Sequence, residues 1–315
     1  MQTIALQISP DAKSAYFADY VGVAKQELGM VLGHDNAVHQ TVGPLEYFVF
    51  ETSEINLEDL MRLSFAQGIY QQTNGQLRPL PIYGDYRLHE DFVFGAKYKG
   101  KTNEHLTQLL LNVGLAAIDK TPAEGVKLLD PMCGRGTTLW WAMRYGIESR
   151  GIEQDAKALD DIRRNLKKWT KLHRVKHQLK DGFIGKANKK NEGKFLDFSA
   201  ANTSARIIVG DARQSAALLK KQRFDLIVSD LPYGIQHHTT DKTRNPLEVV
   251  KSCIEGWKSC LKDSGAIVLA FNSYQPKRGA IVGAFEEAGF RASDFAAPHR
   301  MSESIVRELA IFQKS

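Results

Sequence analysis

Apolar residues recur in two rhythms along the 315-residue chain, and the change of rhythm divides it. In the first hundred residues, strand-like runs at Thr3 to Ile8, Leu45 to Phe50 and Phe92 to Tyr98 are interleaved with helical spacing. Phe17, Tyr20, Val21, Ala24 and Leu28 fall on one helical stripe. A second helix begins at Asn56, whose side chain can cap orphan amides, and turns Leu57, Leu60, Met61 and Phe65 inward. Thr73 to Tyr86, with Gly75, Pro79, Pro81 and Gly84, breaks all periodicity and reads as a loop or hinge. The pattern predicts a small α+β unit over residues 1–100.

From Thr102 or Asn103 a helix carries Leu106, Leu109, Leu110 and Val113 on one stripe and ends before Pro122. Strands and helices then alternate. Strands are predicted at Val126 to Leu129, Ser149 to Ile152, Arg206 to Val209, Phe224 to Val228 and Ala266 to Phe271. Helices are predicted from Thr137 to Tyr145, Ala156 to Lys171, Pro246 to Leu261 and Lys277 to Ala288. Such alternation marks an α/β, doubly wound, largely parallel sheet, here over residues 101–315. Arg291 to Phe295 and Ile305 to Phe312 add an antiparallel pair at its edge.

A hydrophobic content of 43% is that of a globular protein with a full core. No stretch approaches the roughly 18 apolar residues of a membrane span, and the start of the chain lacks the regions of a signal peptide. A cytoplasmic protein without membrane association is expected. Cys133, Cys253 and Cys260 have neither the even number of a disulfide framework nor the paired spacing of a zinc site, so no metal is expected. The net charge is +6, but its distribution says more. Arg163 to Lys194 holds twelve Lys and Arg against Asp181 and Glu192, a local +10 that leaves about −4 for the rest. Such a segment either tracks phosphates or is a solvated basic loop, and Lys186 to Lys194 within it approaches low complexity.

Two signatures carry the chemistry. Asp130-Pro131-Met132-Cys133-Gly134-Arg135-Gly136-Thr137 follows a predicted strand and opens a predicted helix. Gly134 and Gly136 have no β-carbon to obstruct a ligand, and the helix N-terminus favours negative charge. S-adenosylmethionine has a carboxylate for those amides and an ammonium for Asp130. Glu153, ending the next strand, can accept from both ribose hydroxyls, and Asp211, after the third strand, is placed for the adenine amino group. A dinucleotide uses a similar turn, but Leu139 stands where its third glycine would be, and Asp130 would oppose a pyrophosphate. The bland alternative is a tight strand-to-helix connection.

The second signature, Asp230-Leu231-Pro232-Tyr233 closed by Gly234, follows the fourth strand, which in a doubly wound sheet lies beside the first across the switch point. A base amino nitrogen is a poor nucleophile because its lone pair is delocalised into the ring. The Asp230 carboxylate and the Leu231 carbonyl can each accept one amino hydrogen, aiming the lone pair at the methyl group. Pro232 fixes the turn, and Tyr233 offers a face for stacking the base, worth roughly 1–3 kcal/mol. Gly234 leaves room beside the ring. His237 and His238, in the next loop, read as solvated.

At these residues the chain resembles the class I S-adenosylmethionine-dependent amino-methyltransferases, and among them the RNA guanine-N2 enzymes related to THUMP-containing tRNA methyltransferases. The resemblance covers roughly Lys101 to Ser315. It implies a Rossmann-like methyltransferase sheet, S-adenosyl-L-methionine as cofactor, and an RNA substrate, tRNA or rRNA. The implied cofactor-binding set is Asp130, Cys133, Gly134, Gly136, Thr137, Glu153, Asp211 and Ala212, and the implied catalytic set is Asp230, Leu231, Pro232 and Tyr233. Leu231 departs from the doubled proline of many relatives, but the position still supplies a carbonyl. About 100 N-terminal residues are short for a complete THUMP-type region. The alternatives are a DNA adenine-N6 or cytosine-N4 enzyme, a protein glutamine methyltransferase, and a catalytically silent RNA-binding factor; the oligomeric state is left open.

Overall fold

Two β-sheets share one continuous apolar core. The computed structural model describes residues 1–53, 56–82, 84–98, 101–122, 125–185, 192–231, 246–302 and 305–315. The first sheet contains β1 (Gln2–Ile8), β2 (Val38–Val42), β3 (Leu45–Thr52), β4 (Ala66–Thr73) and β5 (Gln76–Pro79). Their order is β2-β3-β1-β4-β5, antiparallel throughout. Helices α1 (Pro10–Tyr16), α2 (Tyr20–Leu32) and α3 (Leu57–Arg62) accompany it. Asn56 accepts from the Glu58 and Asp59 amides, which starts α3 where the sequence predicts. Two strands, β2 and β4, and the short β5 were not expected. Asn74 and Gly75, at φ +49° and +76°, make a two-residue hairpin turn that draws part of the expected loop into β5.

Next come α4 (Asp91–Phe94), α5 (Glu104–Ala117), β6 (Lys127–Asp130), α6 (Thr137–Arg144), β7 (Glu148–Glu153), α7 (Ala156–Leu172), β8 (His177–Phe183), β9 (Lys194–Ala200) and β10 (Thr203–Val209). The chain continues through α8 (Ser215–Leu219), β11 (Phe224–Asp230), α9 (Pro246–Cys260), β12 (Leu261–Asn272), α10 (Arg278–Glu287), β13 (Phe290–Ala292), β14 (His299–Ser302) and β15 (Ile305–Lys314). The large sheet runs β13-β15-β12-β11-β6-β7-β10-β9-β8, with β14 paired to β15. Its centre, β12-β11-β6-β7-β10, is parallel. Because β7 and β10 lie on one side of β6 and β11 and β12 on the other, the topological switch falls between β6 and β11.

Two expectations are corrected. Phe92 to Tyr98 is no strand. Phe92 and Val93 are both buried from the single turn α4, and Lys101 Nζ takes the Val93 and Ala96 carbonyls at 2.6 and 2.7 Å. That side chain replaces the partners a strand would need. The basic segment is no loop insertion either: its first part is the outer face of α7, and β8 and β9 form an antiparallel hairpin on β10. Leu196, Phe198 and Ala200 are buried in alternation, and Asp197 pairs with Arg206 across the strands. Residues 186–191 lie outside the described residues. At the other edge the expected antiparallel pair is present as β13 with β15, and β15 lies inside, between β12 and β13.

One face of the large sheet, with Leu128, Leu226, Val228 and Val268, packs with α5, α6 and α7 and continues into Leu6, Tyr16 and Leu28 of the N-terminal unit. The other, with Leu129, Ile227 and Ile267, is covered by Trp257, Ile281 and Phe285 from α9 and α10. Among the described residues, no helix is long and apolar enough to cross a membrane.

The shared core has one polar seam. Glu27 on α2 is fully buried and accepts from the Ser64 amide at 2.9 Å, Ser64 Oγ at 2.6 Å and Asn112 Nδ2 of α5 at 2.7 Å. Tyr145 OH donates to Asn112 Oδ1, extending the network to the turn after α6. Burial pushes the Glu27 carboxyl from its ordinary 4.5 up to about 7, against the opposing pull of those hydrogen bonds. A carboxyl raised in the folded state contributes fully below about pH 4.5, and its contribution is lost as pH rises through about 7. Stability measured by urea unfolding should therefore fall between pH 5 and pH 8, by up to about 3 kcal/mol. Glu27→Gln should flatten that dependence and be the more stable protein at pH 8. A variant less stable than wild type at pH 8 would show that the charged form is the one the seam prefers.

Candidate active site

The parallel pairing of β6 with β11, Leu226 opposite Leu128 and Ile227 opposite Leu129, brings the ends of the two signatures together. Ser229 Oγ donates to Asp130 Oδ1 at 2.8 Å across that pair, and the Met132 amide donates to the same oxygen at 3.1 Å. Asp130 is 2% exposed. Burial pushes its carboxyl up to about 7 in spite of hydrogen bonds from Thr138, Ser229 and Met132, and the Asp230 charge pushes the same way.

The turn after β6 is closed by the Gly136 amide bonding the Cys133 carbonyl at 2.7 Å. Gly134 and Gly136 take φ +53° and +85°. A Cβ at Gly134 would meet no atom of the described residues within 4 Å, whereas at Gly136 it would lie 3.0 Å from the Trp140 ring. Gly136 is also the N-cap of α6 and makes no side-chain cap bond, so the first amides of the helix face the turn uncapped by it. Cys133 rests on β7, where a Cβ at Gly151 would be 2.6 Å from its sulfur. Its thiol is pushed well up by burial, with Asp130 and Glu153 adding to the effect, so it forms a wall and not a nucleophile. Thr137 is buried under Tyr98, whose hydroxyl lies 3.3 Å from Thr137 Oγ1.

Glu153 ends β7 and accepts the Asp155 amide on Oε1. It pairs in register with Val209 of β10, and Asp211 follows two residues on. Asp130, Glu153 and Asp211 therefore stand at the carboxyl ends of three adjacent strands. Asp211 accepts the Arg213 amide and the Arg213 guanidinium, capping a 3-10 turn that begins at Ala212. Burial opposes the Asp211 charge, but the Arg213 bonds outweigh it and hold the carboxyl below its ordinary range.

Asp230 closes β11 and is paired in register with Ala270 of β12, while the Leu231 amide donates to the Ala270 carbonyl at 2.8 Å. Thr102 Oγ1, one residue before the α5 cap Asn103, donates to Asp230 Oδ2 at 2.6 Å. Arg307 of β15 donates to Asp230 Oδ1. Sequence reasoning passed over Ser229, Thr102 and Arg307. None of the three left a clear signal: Arg307 stands beside Glu308, and such a charged pair reads as an exposed stretch of the last strand. Pro232, Tyr233 and Gly234, with His237 and His238, lie outside the described residues.

Among the described residues, one trio has the makings of a metal site: His89, Asp91 and His173. The two rings stack face to face at 3.7 Å, and His89 Nδ1 already accepts the Asp91 amide, so the imidazole lone pairs do not converge.

The model of the UPF0020 family, "RMKL-like, methyltransferase domain", matches residues 103–288, more than half of the chain. No curated protein matches the sequence. Similar solved structures include TrmN from Thermus thermophilus, at 17% identity and a TM-score of 0.47, covering 87% of this chain. This chain spans only 57% of that protein's length. A putative RNA methyltransferase, PH1948, from Pyrococcus horikoshii has 17% identity and a TM-score of 0.40, with 73% of this chain and 91% of that one covered. A TehB-like SAM-dependent methyltransferase from Corynebacterium glutamicum has 18% identity and a TM-score of 0.38, over 61% and 81% of the two chains. The donor turn, the switch point beside it and the family match agree: the chain belongs to the RMKL-like methyltransferase-domain family, and its methyl donor is S-adenosylmethionine.

Proposed function

We propose that this enzyme methylates an exocyclic amino group of a base in RNA, with guanine N2 of tRNA as the target. The observation that carries the reading is the carboxylate of Asp230 at the end of β11, one strand from the donor turn and tied to it through Ser229 and Asp130. An RNA substrate is supported by the basic face: Lys167, Lys168 and Lys171 on α7 and Lys176 and Lys180 beyond it are exposed. Residues 1–100 act as an accessory unit that helps select the RNA.

The donor fits the residues present. Among the described residues nothing crowds Gly134 over the turn, and the start of α6 suits the carboxylate of an amino acid. In this reading Asp130, Cys133, Gly134, Gly136 and Thr137 surround the methionine part, Glu153 takes the ribose, and Asp211 and Ala212 border the adenine. When bound, S-adenosylmethionine supplies an electrophilic methyl on a sulfonium sulfur that leaves as a neutral thioether. Asp230 and the Leu231 carbonyl accept the two amino hydrogens, which holds the nitrogen still and stabilises the positive charge growing on it. The nitrogen then releases one proton to water. Tyr233 is assigned the stacking of the base, which must first leave its helix to reach the site.

Gly136→Ala tests the donor seat. A φ of +85° strains an L-residue by roughly 1–2 kcal/mol, and the added carbon presses on Trp140. Donor affinity by calorimetry should drop about tenfold; an unchanged affinity would move the donor off this turn. Asp230→Ala tests the acceptor. It should retain donor binding yet lose methyl transfer by about a thousandfold, and undiminished turnover would refute the mechanism. With labelled donor and undermodified tRNA, rRNA, DNA or protein, label should enter RNA; label on protein alone would reject the substrate class.

A further inference from the structure

Arg307 lies two strands away from the residue it holds. In register, Asp230 of β11 faces Ala270 of β12, and β12 in turn pairs with β15, where Leu309 faces Ala270 and Arg307 faces Asn272. Residues paired across strands share a face, and so do residues two apart on one strand, so Asp230, Ala270, Leu309 and Arg307 all point to the side of α5. Two strand spacings are about 10 Å, and an arginine spans that distance only over a small neighbour. Ala270 is that neighbour.

The pair is shielded from water: Arg307 has 3% of its side chain exposed and Asp230 has 11%. Burying a guanidinium on an inner strand costs several kcal/mol, and an apolar pair of similar volume would often hold the fold as well or better. Stability alone gives no reason for the charge. A planar guanidinium does give a carboxylate a fixed direction, which a point charge on a flexible stem gives less well. Thr102 Oγ1 supplies the second anchor from the segment that leads into α5.

We infer that Arg307 is a positioning residue of methyl transfer, which sets the orientation of the Asp230 carboxylate toward the incoming amine. The inference rests on the reading of Asp230 as the amine acceptor. Because the Arg307 side chain is only 3% exposed and is held against Asp230, its loss is expected to act on the rate of the bound complex and to leave both bindings alone. Among the described residues, the groups facing Asp230 include Arg307 of β15, Thr102 before α5, Asp130 of β6 and His299 of β14, the last buried and edge-on to Tyr16.

The test is single-turnover transfer to undermodified tRNA at saturating donor and RNA, with both dissociation constants measured on the same preparations. Arg307→Met should slow the bound-complex rate about a hundredfold, as a misaligned acceptor does, with both dissociation constants within about twofold of wild type. Arg307→Lys should recover part of that rate. A folded Arg307→Met protein with the wild-type rate would overturn the inference. If Arg307→Met does not fold, Arg307→Lys decides: a slower rate at unchanged binding supports positioning, and a wild-type rate overturns it. Asp230→Ala, run in parallel, separates the two readings. An active Asp230→Ala variant defeats the acceptor assignment itself, whereas inactive Asp230→Ala beside fully active Arg307→Met defeats only the role of Arg307.

Discussion

The parallel pairing of β6 with β11 is the constraint on which the rest of the molecule depends. It turns a separation of about 100 residues into the 2.8 Å bond between Ser229 and Asp130. The pairing exists because the chain changes direction across the sheet after β10, leaving a crevice at the carboxyl ends of the central strands. Asp130, Glu153 and Asp211 stand on or just after β6, β7 and β10 on one side of that crevice, and Asp230 with Arg307 on β11 and β15 on the other. A slip of one residue between β6 and β11 would leave the two aspartates on opposite faces of the sheet.

Proximity sets an electrostatic problem, because Asp130 and Asp230 feel one another's charge. The protein answers it unequally. Asp130 is sealed off, surrounded by hydrogen-bond donors and, among the described residues, without a cation, and its carboxyl is driven up to about 7. Asp230 is given a guanidinium from β15 and a hydroxyl from the segment before α5. The inner place of β15, between β12 and β13, is what brings that guanidinium within reach. The N-terminal unit joins the same arrangement through Tyr16, stacked edge-on against His299 beside β15, and through the Glu27 seam.

Much of this was legible from local chemistry. Asn56 and Asn103 announce their helices because an amide oxygen at an N-cap satisfies backbone donors whatever lies around it. The central strands were readable because both of their faces are buried and each is a short apolar run. The errors arise where tertiary partners decide. Phe92 and Val93 look like a strand, but Lys101 supplies the carbonyl partners that let a single helical turn persist there. The edge hairpin β8–β9 was hidden by its lysines, since a solvated edge strand carries the composition of a loop. Arg307 was hidden beside Glu308, its partner lies 77 residues earlier and two strands away, and register cannot be read from one sequence.

The central claim is that the crevice holds a planar amine, and the modified nucleoside tests it most directly. Undermodified tRNA methylated by the wild-type enzyme can be digested to nucleosides and resolved by mass spectrometry. The account predicts a single product methylated on an exocyclic amino nitrogen, N2-methylguanosine. Methyl groups found on ribose oxygen, on a ring nitrogen or on carbon would contradict it, since Asp230 and the Leu231 carbonyl would then be holding the wrong group.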